Sequence, residues 1–285
     1  MDELHMMDEL HIKSPDYSFT TSDSARRLNN VERHQFITDG YLKNLPVFND
    51  SGVEDLQSLF LDLTSRLPDG IDINQVNMWH KASKNFHQLC RVSAILDYVE
   101  DLIGSNFVQW GGQFFVKYPG DGSEVPWHQD AQYWPLTPNR TVTVWLAIYD
   151  TNDRNAAMQV VRGSHRGGVL RHHTNEAAHL VLDQEVDEDQ IDTDNIVTLD
   201  LRAGEISLHD GGLLHGSGPN RSDIIRAGIT MRFCPTDVKC DLSVWPTFET
   251  YIARGSDFFN HNPIGQPPEG ESFPIRKFQH SSDFI

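Results

Sequence analysis

The sequence predicts an α+β protein whose core is an antiparallel β-sandwich or barrel. Three observations carry that expectation. Apolar residues keep helical spacing up to Gly104 and then give way to short runs rich in β-branched and aromatic residues. Gly, Pro, Asn and Asp punctuate those runs. Helices first and six or more strands afterwards is an α+β order, not the alternation of βαβ units.

Taken in order, Asn30 is placed to cap a helix over Val31–Asp39, with Gly40 as its C′ glycine. Ser51 and Glu54 form a capping-box pattern ahead of a second helix. Val53, Leu56, Leu59, Phe60, Leu63 and Leu67 recur there at helical spacing. A third helix is expected around Val92 to Ile103, ended by Gly104. Strands are expected at Phe107–Tyr118, Thr141–Tyr149, Met158–Val161, Ile196–Leu201, Glu205–His209 and Ala227–Phe233. Beyond Asp241, the aromatic residues Trp245, Phe248, Tyr251, Phe258 and Phe259 are expected to pack over the sheet.

A chain of 285 residues can bury a full core. No run approaches the 18 or so apolar residues of a membrane span. The start lacks the basic and apolar regions of a secretory signal, and Met1–His5 is nearly repeated by Met7–His11. Residues 1–25 are polar and expected to be disordered, leaving 26–285 as one domain. The formal charge of −18 argues against nucleic acid or anionic membrane as partner and says nothing direct about a small-molecule substrate. Three cysteines, Cys90, Cys234 and Cys240, contain no Cys-x-x-Cys pair and fit a reducing cytoplasm. The stretch from 167 to 195 carries Arg171, His172, His173 and His179 and then seven acids from Asp183 to Asp194. It reads as a solvated excursion or as a lid over a site. His172 and His173, adjacent on an extended segment, face opposite ways and are not assigned to a metal.

The chemistry centres on Val125–Leu136. His128 and Asp130 lie two apart, and on extended backbone both side chains face one point. An imidazole and a carboxylate so placed make two of the three ligands of a 2-His-1-carboxylate iron site; a surface ion pair is the simpler alternative. His215 is the main candidate for the third ligand, with His209 in competition. Arg226, eleven residues after His215, could hold a carboxylate by a bidentate pair, and Ser217 adds a hydroxyl nearby.

These features together resemble the phytanoyl-CoA dioxygenase family of iron(II)/2-oxoglutarate oxygenases. The resemblance rests on Trp-His-Gln-Asp-x-x-Tyr-Trp at Trp127–Trp134, Val142–Ala147, Gly163-Ser-His165, and Ala203-Gly-Glu followed by His209 to Ser222 and Arg226. It covers roughly residues 35 to 235, and implies a double-stranded β-helix (jelly-roll, cupin-like) core with flanking N-terminal helices. It implies His128, Asp130 and His215 as iron ligands, Arg226 and Ser217 as the anchor of the distal carboxylate of 2-oxoglutarate, and Trp145 and Gln113 beside that cosubstrate. Arg226, at the family's spacing from His215, favours His215 over His209. Three protein ligands leave three positions on octahedral iron, two for a chelating 2-oxo acid and one for dioxygen. The presence of Asp130, which related halogenases replace by a small residue, favours hydroxylation. Arg162 stands where the family usually has proline, and Asn155-Ala156 where it has Asn-Gly, so local turn differences are expected.

For the substrate, Lys117, Gln132 and Trp134 are candidate wall residues, as are His80 and Lys84, with Lys81 and His87, for an anion such as a carboxylate or phosphonate. Trp79 and Trp134 could instead meet an ammonium group. The expected substrate is a small polar metabolite, such as an amine-bearing acid or phosphonate. A jelly-roll binding protein with a vestigial site, and a metal-dependent hydrolase or isomerase on the same ligands, are the competing readings.

Overall fold

The computed structural model describes residues 15–274 apart from 176 and 178, so the repeat at Met1–His11 lies outside the described residues. In chain order come α1 (Asn30–Asp39), β1 (Tyr41–Pro46), α2 (Asp50–Ser65), α3 (Lys84–Leu89), α4 (Ser93–Ile103), β2 (Phe107–Lys117), β3 (Val125–His128), β4 (Leu136–Thr137) and β5 (Val142–Ala147). Then follow β6 (Gln159–Val161), β7 (His172–Thr174), β8 (Gln184–Val186), β9 (Ile196–Thr198), β10 (Glu205–Asp210), β11 (His215–Ser217), β12 (Arg226–Pro235), β13 (Lys239–Cys240) and β14 (Tyr251–Arg254).

Two antiparallel sheets form the core. One has six strands in the order β1-β10-β5-β12-β2-β14, the other four in the order β3-β11-β6-β9. Non-consecutive neighbours throughout make this the jelly-roll expected from the resemblance. No helix among the described residues is long and apolar enough to cross a membrane.

The period of two along a strand divides the core from the site. On β12, Ala227, Ile229, Met231 and Phe233 join the main cluster, and so do Val142, Val144 and Leu146 of β5. Leu56, Leu59, Phe60 and Leu63 of α2 and Ile95, Leu96 and Val99 of α4 cover that face. The alternate residues, Arg226, Thr230 and Arg232 of β12 with Thr143 and Trp145 of β5, line a cavity on the other face. A one-residue slip would exchange the two sets.

Helices α1 and α2 start one or two residues earlier than expected. Asn29 caps α1, because its amide N–H reaches Glu32 and its side chain accepts from Glu32 N, closing a capping box that Asn30 cannot form. Asn49 caps α2 by accepting from Gly52 N, which leaves Ser51 inside the first turn. β1 was not expected: a bulge between Leu42 and Leu45, with Asn44 at φ 58, breaks its alternation. Residues 15–25 are not an unanchored part of the tail. Phe19 is buried, and Ser18 and Phe19 donate their backbone N–H groups to Asp55. Trp245, Phe248 and Tyr251 are buried as expected, but Phe258 and Phe259 lie exposed beyond β14, because the loop leaves the sheet edge there.

Candidate metal and cosubstrate site

β3 ends at His128, and Gln129 stays extended (φ −114, ψ 126), so His128 and the first residue of the following turn, Asp130, keep their common face. His215 opens β11 and is the direct ladder partner of His128. Cross-strand pairing therefore puts two residues 87 positions apart side by side, with ring centroids 4.2 Å apart. One ligand atom from each of His128, Asp130 and His215 lies within 4.8 Å of the others, and all three residues are buried.

The hydrogen bonds of this group fix its chemistry. Nδ1 of His128 donates to the Pro126 carbonyl and Nδ1 of His215 to the Leu213 carbonyl, both at 2.8 Å. Each ring is thereby held as the tautomer whose Nε2 lone pair is available to a metal. Burial, reinforced by the neighbouring imidazoles, pushes the His215 pKa well below the ordinary range, which keeps that lone pair unprotonated. Burial alone would raise the Asp130 pKa. The imidazoles of His128 and His209, followed by His215 and Arg232, outweigh it and hold the carboxyl well below the usual range. Asp130 Oδ2 also accepts from Thr143 Oγ1 at 3.2 Å. His209 is buried on β10, its Nε2 3.6 Å from Asp130 Oδ2. It stands behind the carboxylate, outside the three-ligand group.

The same cavity holds a second group. Arg226 is buried at the start of β12, its guanidinium 4.8 Å from the Trp145 ring centroid. Burial pushes its pKa down to about 10, so it keeps its charge at neutral pH. Arg226 Nε and Nη1 and Ser217 Oγ are buried without a hydrogen-bond partner among the described residues. Unpaired buried donors beside two imidazoles and a carboxylate fit a divalent iron and a dicarboxylate: the first takes the ligand trio, the second the guanidinium. Gln113 also lines the cavity and donates its side-chain N–H to Asn74 O at 3.0 Å. Gly228 leaves room for Trp145, since a Cβ there would stand 2.2 Å from Trp145 Cζ2.

Of the expected substrate residues, Trp134 lines the cavity and four others do not. Lys117 closes β2 and donates to the Ser217 and Gly218 carbonyls at 2.9 and 2.5 Å, so it supports the Arg226 end from outside. Gln132 is exposed on the turn after Asp130. His80 is fully buried edge-on against Tyr251, and Lys84 is exposed at the start of α3 on the helical side. Trp79 belongs to the main core and Lys81 pairs with Glu249. Of the segment from Asn77 to His87, Asn77 and Met78 line the cavity, and the residues after them do not. Arg171 and His173 pair with Asp187 and Glu185, and His172 accepts from Gln129 N. Arg232 and Trp110, both in the cavity wall, were missed. Arg232 was legible: it lies six residues after Arg226 on one strand and so shares its face.

The family model described as Phytanoyl-CoA dioxygenase (PhyH) matches residues 39–228. The "Probable alpha-ketoglutarate-dependent hypophosphite dioxygenase" of Stutzerimonas stutzeri is 31% identical over 161 residues, 55% of this chain and 54% of that protein. The chain thus aligns with about half the length of that relative. The "Phytanoyl-CoA dioxygenase domain-containing protein 1 homolog" of Dictyostelium discoideum is 26% identical over 236 residues, 81% of this chain and 80% of that protein. Among solved structures, a "non-heme monooxygenase; ThoJ apo" superposes with TM-score 0.71 at 26% identity, covering 84% of this chain and 89% of the other.

Proposed function

Because the chain belongs to the phytanoyl-CoA dioxygenase family, we propose that it is an iron(II)/2-oxoglutarate-dependent dioxygenase that hydroxylates a small molecule. Iron, 2-oxoglutarate and dioxygen supply the oxidation, in which 2-oxoglutarate becomes succinate and carbon dioxide and the substrate gains a hydroxyl group. The observation that carries the proposal is the juxtaposition, in one cavity, of the His128-Asp130-His215 trio and the unpaired Arg226 guanidinium.

His128 and His215 offer their Nε2 atoms and Asp130 a negative charge, leaving open the side of the trio that faces the cavity. Arg226 and Ser217 hold the distal carboxylate of the cosubstrate, the arginine by a charge-assisted pair and the serine through its hydroxyl. Trp145 walls that end and keeps water from the guanidinium. Gln113, fixed by Asn74, presents its amide to the same end. The paired strands β7 and β8 lie over the mouth of the site as a lid, a role supported by their packing on β3 and by Leu182 in the cavity wall. The excursion from 167 to 195 thus belongs to the one domain that starts before α1.

The substrate is a small polar metabolite such as an amine-bearing acid or a phosphonate. A cavity whose wall carries Asn77, Thr143, Thr230 and Arg232 supports that size and polarity, and the relative named for hypophosphite supports a small polar compound. Cys90, Cys234 and Cys240 are free and buried, which supports a reducing compartment, the cytoplasm. Succinate release from 2-oxoglutarate under air, with a panel of small acids and phosphonates, tests the proposal. The wild type releases succinate and His128→Ala, folded by circular dichroism, does not. Turnover without oxygen would favour the hydrolase or isomerase reading, and equal release by His128→Ala would exclude the trio as the iron site.

A further inference from the structure

A second buried arginine faces the same cavity and is not among the residues to which the function above assigns iron or 2-oxoglutarate. Arg232 lies six residues beyond Arg226 on β12, roughly 20 Å along the strand at about 3.3 Å per residue. The two arginines therefore face the cavity at different levels of the strand. Arg232 pairs across β12 and β5 with Thr143, whose hydroxyl bonds Asp130, so it stands at the level of the ligand trio. It forms no ion pair among the described residues, and its Nε is buried without an acceptor. Asp130, the carboxylate whose field reaches it, is turned instead to His128, His209 and Thr143.

The surroundings are built to place this guanidinium. Its stem runs over Gly111, where a Cβ would meet Arg232 Cδ at 2.8 Å. Its guanidinium carbon lies 5.9 Å from the Trp110 ring centroid and 5.5 Å from that of Trp134. Those two indoles meet edge to face at 4.5 Å, and Trp245 closes on Trp110 at 5.8 Å; all three line the cavity. The Trp110 indole N–H is likewise buried without an acceptor. Two donors are therefore held among the indoles with no acceptor among the described residues. Burying an unpaired polar group is costly, and a charged one more so, which is consistent with a ligand that satisfies both. An ammonium group would meet like charge, because the indoles already carry a cation.

Resting on the proposed function above, we propose that Arg232 is the substrate anchor: it binds an oxyanion of the primary substrate, a carboxylate or a phosphorus oxyanion, with the Trp110 N–H as second donor. The substrate is then held at its anionic end beside the trio, and its remaining atoms lie against the tryptophans. Anionic substrates are selected by Arg232, a role the sequence suggested for His80 and Lys84 on the other side of the sheet.

Anaerobic protein loaded with iron(II) and saturating 2-oxoglutarate tests this. Tryptophan fluorescence, with four indoles in the cavity wall, reports binding of hypophosphite, methylphosphonate, butyrate and the neutral butyramide. At least one of the oxyanions binds the wild type at millimolar concentration, and which one separates phosphorus acids from carboxylates. Arg232→Met weakens that binding about tenfold or more, Arg232→Lys less, and both keep the wild-type affinity for 2-oxoglutarate. Butyramide binds more weakly than butyrate. Equal oxyanion binding by Arg232→Met, equal binding of butyramide and butyrate, or no oxyanion binding to the wild type would overturn the proposal. So would a loss of 2-oxoglutarate affinity in Arg232→Met, which would move the residue to the cosubstrate. If the methionine variant does not fold, Arg232→Gln carries the same comparison. Binding of 2-oxoglutarate to the wild type, measured separately, reports on the function reading itself, so the two can fail independently.

Discussion

Replacing Arg226 by methionine separates the arginine's work for the cosubstrate from its cost to the fold. The side chain is buried, with Nε and Nη1 unpaired and the guanidinium over Trp145. Losing a charge-assisted bidentate pair costs about 1.5–3 kcal/mol, or roughly 10- to 150-fold in the dissociation constant of 2-oxoglutarate. The protein without cosubstrate responds the other way. A pKa pushed down to about 10 by burial corresponds to roughly 3 kcal/mol of charge desolvation, which methionine does not carry. Against this stands the lost contact with Trp145, worth about 1–2 kcal/mol. The net gain is on the order of 1 kcal/mol, a rise of about 2–4 °C in melting temperature. Calorimetric titration with 2-oxoglutarate and thermal melting of the free protein measure the two effects. Unchanged cosubstrate affinity together with a lower melting temperature would refute the reasoning, since Arg226 would then be a structural cation.

Three further outcomes follow from the same geometry. Burial, with Arg226 nearby, pushes the Lys117 pKa down to about 7; as pH falls through that value Lys117 gains charge beside the anchor, so 2-oxoglutarate binds more tightly on the acid side. Folding with a lowered lysine pKa releases a proton, so stability also rises with pH from about 7 towards the ordinary lysine range. Titrations across that window show both trends in the wild type and neither in Lys117→Met; a flat wild-type profile would exclude Lys117 as their source. Gly228→Ala places a Cβ 2.2 Å from Trp145 Cζ2, and the forced shift costs about 1–3 kcal/mol, seen as a lower denaturation midpoint and weaker 2-oxoglutarate binding. Leu56→Ala, at a fully buried position of α2 on the opposite face of the sheet, costs about 2–5 kcal/mol of stability while leaving cosubstrate affinity unchanged.

Much of this protein was legible in its sequence where period and chemistry agree. The helices α2 and α4 follow from apolar spacing, and the long strands β2, β5 and β12 from β-branched and aromatic runs. His128, Asp130 and His215 could be joined because the strand period explains the first pair and the motif resemblance the third. The sequence could not give the ladder that seats His215 opposite His128, since pairing depends on the whole sheet order. Nor could it tell which polar residues are walls. Lys117 and Trp134 both looked like contacts, but β2 turns the lysine to the Ser217 and Gly218 carbonyls while the tryptophan meets Arg232. His80 looked like a ligand and is a core histidine whose pKa burial drives well down. Arg232 was hidden by a different cause: its strand was read for its apolar residues, and the alternate face, which carries the function, was read only at Arg226.

The central claim is that iron and 2-oxoglutarate meet in one cavity between the ligand trio and Arg226. The visible spectrum of anaerobic protein with iron(II), taken before and after adding 2-oxoglutarate, tests it most directly. A weak metal-to-ligand charge-transfer band that appears on addition, and is lost in His128→Ala, is the predicted result. No band from folded, iron-loaded protein would contradict the account.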